Sequence, residues 1–122
     1  MKIHSIMLVE DHLLVRLAVR QLIEGEPELR VSWEAESAES ALEQLKDLRP
    51  DLIVTDLSLP GMSGLGLIKR LRLSRPEVNC LVLTGHVDAF YKKAALTAGA
   101  IGFVTKDDAD KVLEAVKKAL HT

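Results

Sequence analysis

The chain has 122 residues, a length typical of a single domain built around one hydrophobic core. With 48% hydrophobic and 28% charged residues it does not have the composition of a disordered segment, and its formal net charge of −2 disfavours direct nucleic acid binding. The one cysteine, Cys80, excludes an intramolecular disulfide, and no apolar run reaches the roughly 18 residues of a transmembrane helix. Composition therefore predicts a globular domain of the cytoplasm that contacts neither membrane nor nucleic acid directly.

Five short apolar runs alternate with five stretches of helical periodicity. The runs predict strands, which in chain order are Ile6–Val9, Val31–Trp33, Leu52–Thr55, Leu81–Thr84 and Ile101–Val104. The intervening stretches predict helices near 12–25, 38–48, 64–74, 88–98 and 108–121. Ser37, Ser63 and Asp88 are the predicted N-caps, and Gly99 follows a predicted helix end.

This alternation of strand and helix predicts an α/β fold. Strands that are apolar throughout are buried on both faces, so we expect a parallel sheet with helices on its two faces. Right-handed crossovers leave a doubly wound sheet of flavodoxin-like or Rossmann-like order. The segment Val31-Ser32-Trp33 alternates more in polarity, which places the second strand at an edge.

The residues after the first strand separate these two orders. A Rossmann fold needs Gly-x-Gly-x-x-Gly there, whereas this chain has Glu10-Asp11-His12, which would repel a pyrophosphate. We therefore expect a single five-stranded parallel sheet in the flavodoxin-like order 2-1-3-4-5.

Ionisable and hydroxyl side chains follow four of the predicted strands. Glu10 and Asp11 follow the first strand, Asp56 the third, Thr84 the fourth and Lys106 the fifth. In an open α/β sheet the carboxyl ends of the strands form the ligand-binding edge, so these side chains should meet there. Any one of them alone is more simply a helix cap or a solvated loop residue. The agreement of four strand ends favours a functional site.

Three crowded carboxylates repel one another, and Lys106 together with a divalent cation would relieve that repulsion. Mg²⁺, or Mn²⁺ in its place, suits the site because Mg²⁺ takes one or two carboxylates and keeps positions for water and phosphate oxygens. With the metal bound, the Asp56 carboxylate can attack phosphorus and form an acyl phosphate, while Thr84 and Lys106 hold the phosphoryl oxygens.

The same residues resemble the pattern of bacterial response-regulator receiver domains over essentially the whole chain. The stretches that carry the resemblance are Met7–His12, Asp51–Gly64, Leu83–Gly85 and Gly99–Lys106. The resemblance implies that a histidine kinase or phosphotransfer protein phosphorylates Asp56. It also implies that Thr84 and Phe103 then shift and alter the face of the fourth helix, fifth strand and fifth helix. The metal ligands that it implies are Asp11, Asp56, Glu10 through a water, and the backbone carbonyl of Ser58.

The subtype resembles receivers that precede a helix-turn-helix DNA-binding tail and so control transcription. His12, the run Asp56–Met62 and Lys106-Asp107 carry this likeness. Residues 1–122 are expected to be the receiver alone, either part of a longer regulator or a natural single-domain one. Because Asp107 rather than proline follows the lysine, we predict a trans Lys106–Asp107 bond and a fifth helix capped by Asp107 or Asp108.

Two rival hypotheses are disfavoured by the sequence. The first is a metal-dependent phosphohydrolase with an aspartyl-phosphate, which commonly has a second acid where Ser58 stands. The second is a docking module without phosphorylation, which would not need the intact acid set. The chain is therefore expected to be a switch that catalyses only its own phosphotransfer and dephosphorylation. Ser58 and His86 flank the site and could tune hydrolysis, although a solvent-facing loop histidine is an equally weighted interpretation of His86.

The predicted first helix has apolar residues on two sides. At about 100° per residue, one stripe should face the sheet, and it comprises Val15, Ala18, Val19, Leu22 and Ile23. Leu13 and Leu17 fall nearly opposite, where an outer helix is usually polar. On the fifth helix, Ala115 and Ala119 are predicted on a flank that would let another helix approach. These four residues are the predicted face for a homodimer or for effector docking.

Overall fold

The computed structural model describes residues 2–85 and 88–122. Within these ranges, five strands and five helices alternate along the chain. The strands are β1 (His4–Val9), β2 (Leu29–Ala35), β3 (Leu52–Thr55), β4 (Cys80–Thr84) and β5 (Gly102–Thr105). The helices are α1 (Leu13–Glu24), α2 (Ala38–Gln44), α3 (Gly64–Ser74), α4 (Ala89–Ala98) and α5 (Ala109–Leu120). The predicted alternation is confirmed, and no helix in these ranges is long and apolar enough to span a bilayer.

The strands form one parallel sheet in the order β2-β1-β3-β4-β5. This is the predicted flavodoxin-like order, with β2 at an edge. Thr55 of β3 pairs with Val9 of β1 and with Val82 of β4, and Thr84 of β4 pairs with Thr105 of β5. This register brings the carboxyl ends of β1, β3, β4 and β5 to one edge, so the residues that follow these strands emerge close together.

The sheet separates two apolar cores. Alternate residues of the central strands, such as Met7 and Ile53, enter one core together with residues of α2, α3 and α4. The others, such as Leu8 and Val54, enter the second core together with residues of α1 and α5. Among the described residues, Ala95 is the one fully buried residue that α4 contributes. The five helices therefore cover two faces, as predicted.

The predicted caps and the trans bond are confirmed. The side chains of Ser37, Ser63 and Asp88 accept hydrogen bonds from backbone N–H groups at the starts of α2, α3 and α4. Asp108 caps α5 through the N–H of Lys111. Gly99 ends α4 with φ 117°, a left-handed conformation that glycine adopts without strain. No cis peptide bond occurs among the described residues, so the Lys106–Asp107 bond is trans.

Helix α2 ends at Gln44 rather than near residue 48. Arg75, from beyond α3, donates from Nη1 to the Leu45 carbonyl oxygen at 2.7 Å and from Nη2 to that of Leu48 at 3.4 Å. After the helix the backbone forms i to i+3 hydrogen bonds, such as the one from the Lys46 N–H to the Glu43 carbonyl oxygen. The predicted helix end near residue 48 is therefore wrong, and a side chain distant in sequence binds carbonyl groups just beyond the observed end.

The predicted inward stripe of α1 is confirmed for Val15, Val19, Leu22 and Ile23, but two alanines were assigned to the wrong helix face. Ala18 is exposed and Arg16 takes a buried position beside Val19 and Ile23, since its guanidinium is bound on the sheet side of α1. Ala119 is 5% exposed and lies in the core with the other buried residues of α5, rather than on an open flank. Its spacing from Val116 puts it on the buried stripe itself.

Gly64 allows α3 to begin directly against the segment after β3. A Cβ at this position would lie 2.0 Å from the carbonyl oxygen of Asp56 and 2.8 Å from the Cα of Leu57, and both are backbone atoms that cannot rotate away. We expect Gly64→Ala to lower the free energy of unfolding by about 1–3 kcal/mol, as overpacked sites do. Urea denaturation measures the change.

Gly85→Ala is the matched control, because no described atom lies within 4 Å of a Cβ built there. A Gly64→Ala variant as stable as the wild type would contradict this interpretation of Gly64.

Candidate functional site

Backbone hydrogen bonds hold the start of each site segment at the carboxyl edge of the sheet. The N–H of Asp56 donates to the carbonyl oxygen of Val9 at 3.1 Å, and the N–H of Lys106 donates to that of Thr84 at 2.8 Å. Each of these donors lies one residue after the end of its strand, so each bond extends the pairing of the strands by one residue. The side chains of Glu10, Asp56 and Lys106 therefore start from neighbouring points on one edge.

Lys106 links the two carboxylates. Its Nζ lies 2.5 Å from Oε1 of Glu10 and 2.9 Å from Oδ2 of Asp56. Glu10 is 2% exposed and Asp56 7%, so these charges lie almost out of water. Burial of the Lys106 ammonium lowers its pKa, but the hydrogen bonds and charges of Glu10 and Asp56 outweigh burial and hold that pKa above its ordinary value.

The Asp56 carboxylate is held at both oxygens. Oδ2 accepts from Lys106, and Oδ1 accepts from the backbone N–H of Ser58 at 3.2 Å. Ser58 thus reaches the site through its backbone, while the residue itself is exposed. These two hydrogen bonds hold the carboxylate in one orientation at the carboxyl edge of the sheet.

Asp11 and His12 complete the acidic side of the site. Oδ1 of Asp11 is buried and has no hydrogen-bond partner in the described part of the chain. Nδ1 of His12 lies 3.3 Å from this oxygen, without hydrogen-bond geometry, and 3.3 Å from Oε2 of Glu10. Glu10, Asp11 and His12 can each offer one ligand atom, all within 4.8 Å of one another. A buried carboxylate oxygen without a donor is costly, and a hard cation is the kind of group that removes the cost.

The predicted switch residues line a cleft beside Asp56. The cleft has a volume of about 530 Å³ and is lined by Leu57, Ser58, Leu59, Ser63, Thr84, Asp88, Tyr91 and Phe103. Thr84 is 5% exposed, and Phe103 is half-buried. A movement of either side chain would therefore change the same cleft. His86, predicted to tune hydrolysis, lies outside the described residues.

The predicted partner residues are separated by burial. Leu13 and Leu17 are 58% and 44% exposed at the start of α1, and Leu14 between them is 80% exposed. Ala115 is half-buried, and Ala119 is buried in the core. The α1 part of the predicted face is thus open to a partner, whereas on α5 Ala115 is partly open and Ala119 is not.

Sequence reasoning missed Arg16 and used His12 only as part of a family resemblance. Arg16 is 9% exposed, and its Nη1 donates to the backbone oxygen of Glu10 at 2.8 Å. Its spacing of three and seven residues from Val19 and Ile23 was the available signal, because that spacing places it on the buried stripe. For His12 the signal was its position directly after two acids.

Comparison with known proteins agrees with this architecture. The family model of the response regulator receiver domain matches residues 6–117. The sequence is similar to the transcriptional activator protein ExaE of Pseudomonas putida, with 41% identity over 118 residues that cover 95% of this chain and 55% of ExaE. The chain spans about half the length of the curated relatives it matches.

Two solved structures are similar over nearly the whole chain. A LuxR-family two-component response regulator from Aurantimonas sp. SI85-9A1 has a TM-score of 0.94 and 35% identity, covering 98% of this chain and 86% of that one. The isolated REC domain of RcsB from Salmonella enterica serovar Typhimurium, in the presence of the phosphomimetic BeF3−, has a TM-score of 0.85 and 27% identity, covering 96% and 90%.

Replacing Lys106 tests its role between the carboxylates. Lys106→Met leaves Glu10 and Asp56 facing each other without a cation, so we expect the free energy of unfolding at neutral pH to fall by about 1–3 kcal/mol. In the wild type the folded structure raises the pKa of Lys106 above its unfolded value of 10.5. The stability that charged Lys106 gives to the folded state is therefore complete at pH values below 10.5, and it is lost as the pH rises through the folded pKa.

Lys117→Met is the matched control, because Lys117 pairs with Glu26 at 3.1 Å and its side chain is 43% exposed. Urea denaturation across a pH series measures both variants. Equal losses of unfolding free energy in the two variants would contradict the role of Lys106 between the carboxylates.

Proposed function

We propose that this chain, which belongs to the response regulator receiver domain family, is a phosphoryl-accepting switch with Asp56 as the acceptor. One observation carries the proposal. The Asp56 carboxylate is nearly buried at the carboxyl edge of the sheet, with the Lys106 ammonium on one oxygen and the Ser58 N–H on the other. A carboxylate held in this way can act as an oriented nucleophile, and the ammonium beside it is placed to neutralise phosphoryl charge.

The transfer exchanges one bond for another. An Asp56 carboxylate oxygen forms a bond to the phosphorus, and the bond between phosphorus and the donor's leaving atom breaks with its electron pair leaving on the donor. Lys106 Nζ, 2.9 Å from Asp56 Oδ2, is within reach of a phosphoryl oxygen after transfer. The Thr84 hydroxyl is proposed to bind a second phosphoryl oxygen, and the cleft that it shares with Phe103 supports a coupled shift of the two side chains.

The donor set fits a divalent cation, Mg²⁺ or Mn²⁺. Asp11 has a buried oxygen without a partner among the residues that the structure describes, and all the proposed ligand atoms are oxygens of the kind that these ions prefer. Glu10, Asp11, Asp56 and the backbone carbonyl of Ser58 would hold the ion. When bound, it would neutralise carboxylate and phosphoryl charge during transfer.

The proposed partners follow from the family. A histidine kinase or phosphotransfer protein is proposed to supply the phosphoryl group in the cytoplasm, and the output is proposed to be control of transcription through a further domain. The similarity to ExaE, a transcriptional activator about half of which this chain covers, supports that output. Direct binding of nucleic acid by this segment is not expected, given its net charge of −2.

A turnover phosphohydrolase is less well supported. Such an enzyme commonly needs an acid two residues after the nucleophile, and this chain has Ser58 there, which cannot act as a carboxylic acid. We therefore propose that catalysis is confined to the chain's own phosphotransfer and dephosphorylation, with Ser58 tuning the latter.

Exposed leucines on α1 support the proposed self-association face. Leu13, Leu14 and Leu17 form an apolar patch that begins directly after Asp11 and His12. The α5 side contributes Ala115 but not Ala119, which is buried. We propose a second copy of this chain as the occupant, with effector docking as the alternative outcome.

Phosphorylation is tested with acetyl phosphate and Mg²⁺. We expect intact-mass spectrometry to show the addition of one phosphoryl group to the wild type, and none to Asp56→Asn or to wild type treated with EDTA. Asp51→Asn is the matched control, because Asp51 is an exposed acid that accepts the Ser5 N–H and its amide can still accept. Full labelling of the Asp56→Asn variant would rule out Asp56 as the acceptor.

Self-association is tested by analytical ultracentrifugation over a range of concentrations. We expect wild type to form dimers and Leu13→Lys/Leu17→Lys to remain monomeric, since two charges cannot be buried in an apolar contact without partners. Leu73→Lys is the control, because Leu73 is 86% exposed but lies on α3. Identical monomers for wild type and double variant, with and without phosphorylation, would leave only effector docking.

A further inference from the structure

Arg16 is a buried cation for which the proposed phosphotransfer has no use. It lies on the sheet side of α1 and is 9% exposed, although its neighbours Leu17 and Ala18 face solvent. A guanidinium is rarely buried unless its N–H groups are bound, and here they are. The groups that bind it show what it does.

The first of these groups belongs to the acidic pair. Nη1 of Arg16 donates to the backbone oxygen of Glu10 at 2.8 Å. That oxygen is part of the peptide group joining Glu10 to Asp11, so the hydrogen bond restrains the backbone that carries both carboxylates. On the other side of Glu10, its N–H donates to the carbonyl oxygen of Ala35 at 3.0 Å. The turn after β1 is thus held by a strand bond before Glu10 and by Arg16 after it.

The second group anchors Arg16 to the edge strand. Its Nε donates to Oε1 of Glu34 at 3.2 Å, and its Nη2 lies 3.7 Å from Oε1 of Glu36. Arg20 binds the other oxygen of Glu34, with Nη1 at 2.6 Å. Glu34 therefore holds two arginines in line along α1, but within the described part of the chain it is Arg16, and not Arg20, that donates to the Glu10 backbone.

We propose that Arg16 is a positioning residue for the divalent cation, acting through the Glu10–Asp11 peptide group. The proposal rests on the proposed function only in that the acidic pair binds a cation. Fixing this peptide holds the Asp11 carboxylate, whose buried oxygen has no donor among the described residues, in place to receive the ion. Groups that orient metal ligands from behind typically change metal affinity about 10–100-fold.

The sign of the effect separates positioning from simple electrostatics. Removing a positive charge near a cation site reduces repulsion and should strengthen cation binding. Loss of positioning should weaken it. Arg20 supplies the matched comparison, because Arg20→Met removes a charge and a Glu34 contact from the same helix without removing a contact to Glu10.

The experiment is calorimetric titration of the full chain with Mg²⁺, beside urea denaturation to confirm folding. We expect Arg16→Met to bind Mg²⁺ about 10-fold or more weakly than wild type, as for other groups that orient metal ligands. Arg16→Lys keeps one donor, so its Mg²⁺ affinity should lie between those of wild type and Arg16→Met. Arg20→Met should bind as tightly as wild type or more tightly.

Three outcomes overturn the inference. Mg²⁺ binding by folded Arg16→Met at wild-type affinity or tighter would do so, and would leave the proposed function standing. If Arg16→Met does not fold, wild-type affinity in Arg16→Lys would overturn it in the same way. A wild type that binds no Mg²⁺ would overturn the cation site of the proposed function together with this inference.

Discussion

The ammonium of Lys106 between the carboxylates of Glu10 and Asp56 is the contact on which the site depends. A parallel sheet brings the ends of distant strands to one edge, and in this chain several of those ends carry acids. Two nearly buried carboxylates can share that edge because a cation separated from them by 50 and 96 positions in sequence lies within hydrogen-bond distance of both. The long separations also mean that the site exists only when β1, β3 and β5 are in register.

Much of the fold was predictable because its causes are local. Apolar runs between turns marked the strands, helical spacing marked the helices, and capping side chains marked three helix starts correctly. The early end of α2 was not predicted, and the side chain that binds the carbonyl groups just beyond it, Arg75, lies 30 residues further along the chain than Leu45. The orientation of α1 was predicted correctly except at one place, where the charged side chain of Arg16 is buried and Ala18 is exposed.

The candidate site divides in the same way. The rule that ligands bind at the carboxyl ends of parallel strands was enough to place Glu10, Asp56 and Lys106 together. It gives no information about residues elsewhere in the chain that bind or orient the side chains at those strand ends. Arg16 reaches the edge from within a helix, and Ser58 contributes a backbone N–H, a group that every residue except proline carries. Such contacts depend on the path of the backbone, which residue types alone do not specify.

The two cores on either side of the sheet hold their helices unequally. Helix α3 buries Gly64, Leu67, Ile68 and Leu71, whereas α4 buries Ala95 alone among the described residues and leaves Phe90 and Tyr91 73% and 52% exposed. Burial of apolar side chains is what holds a helix on a sheet, so α4 is more weakly anchored than α3. Asp88 and Tyr91, at the start of α4, line the same cleft as Thr84 and Phe103. The less firmly anchored helix is therefore the one that borders this cleft.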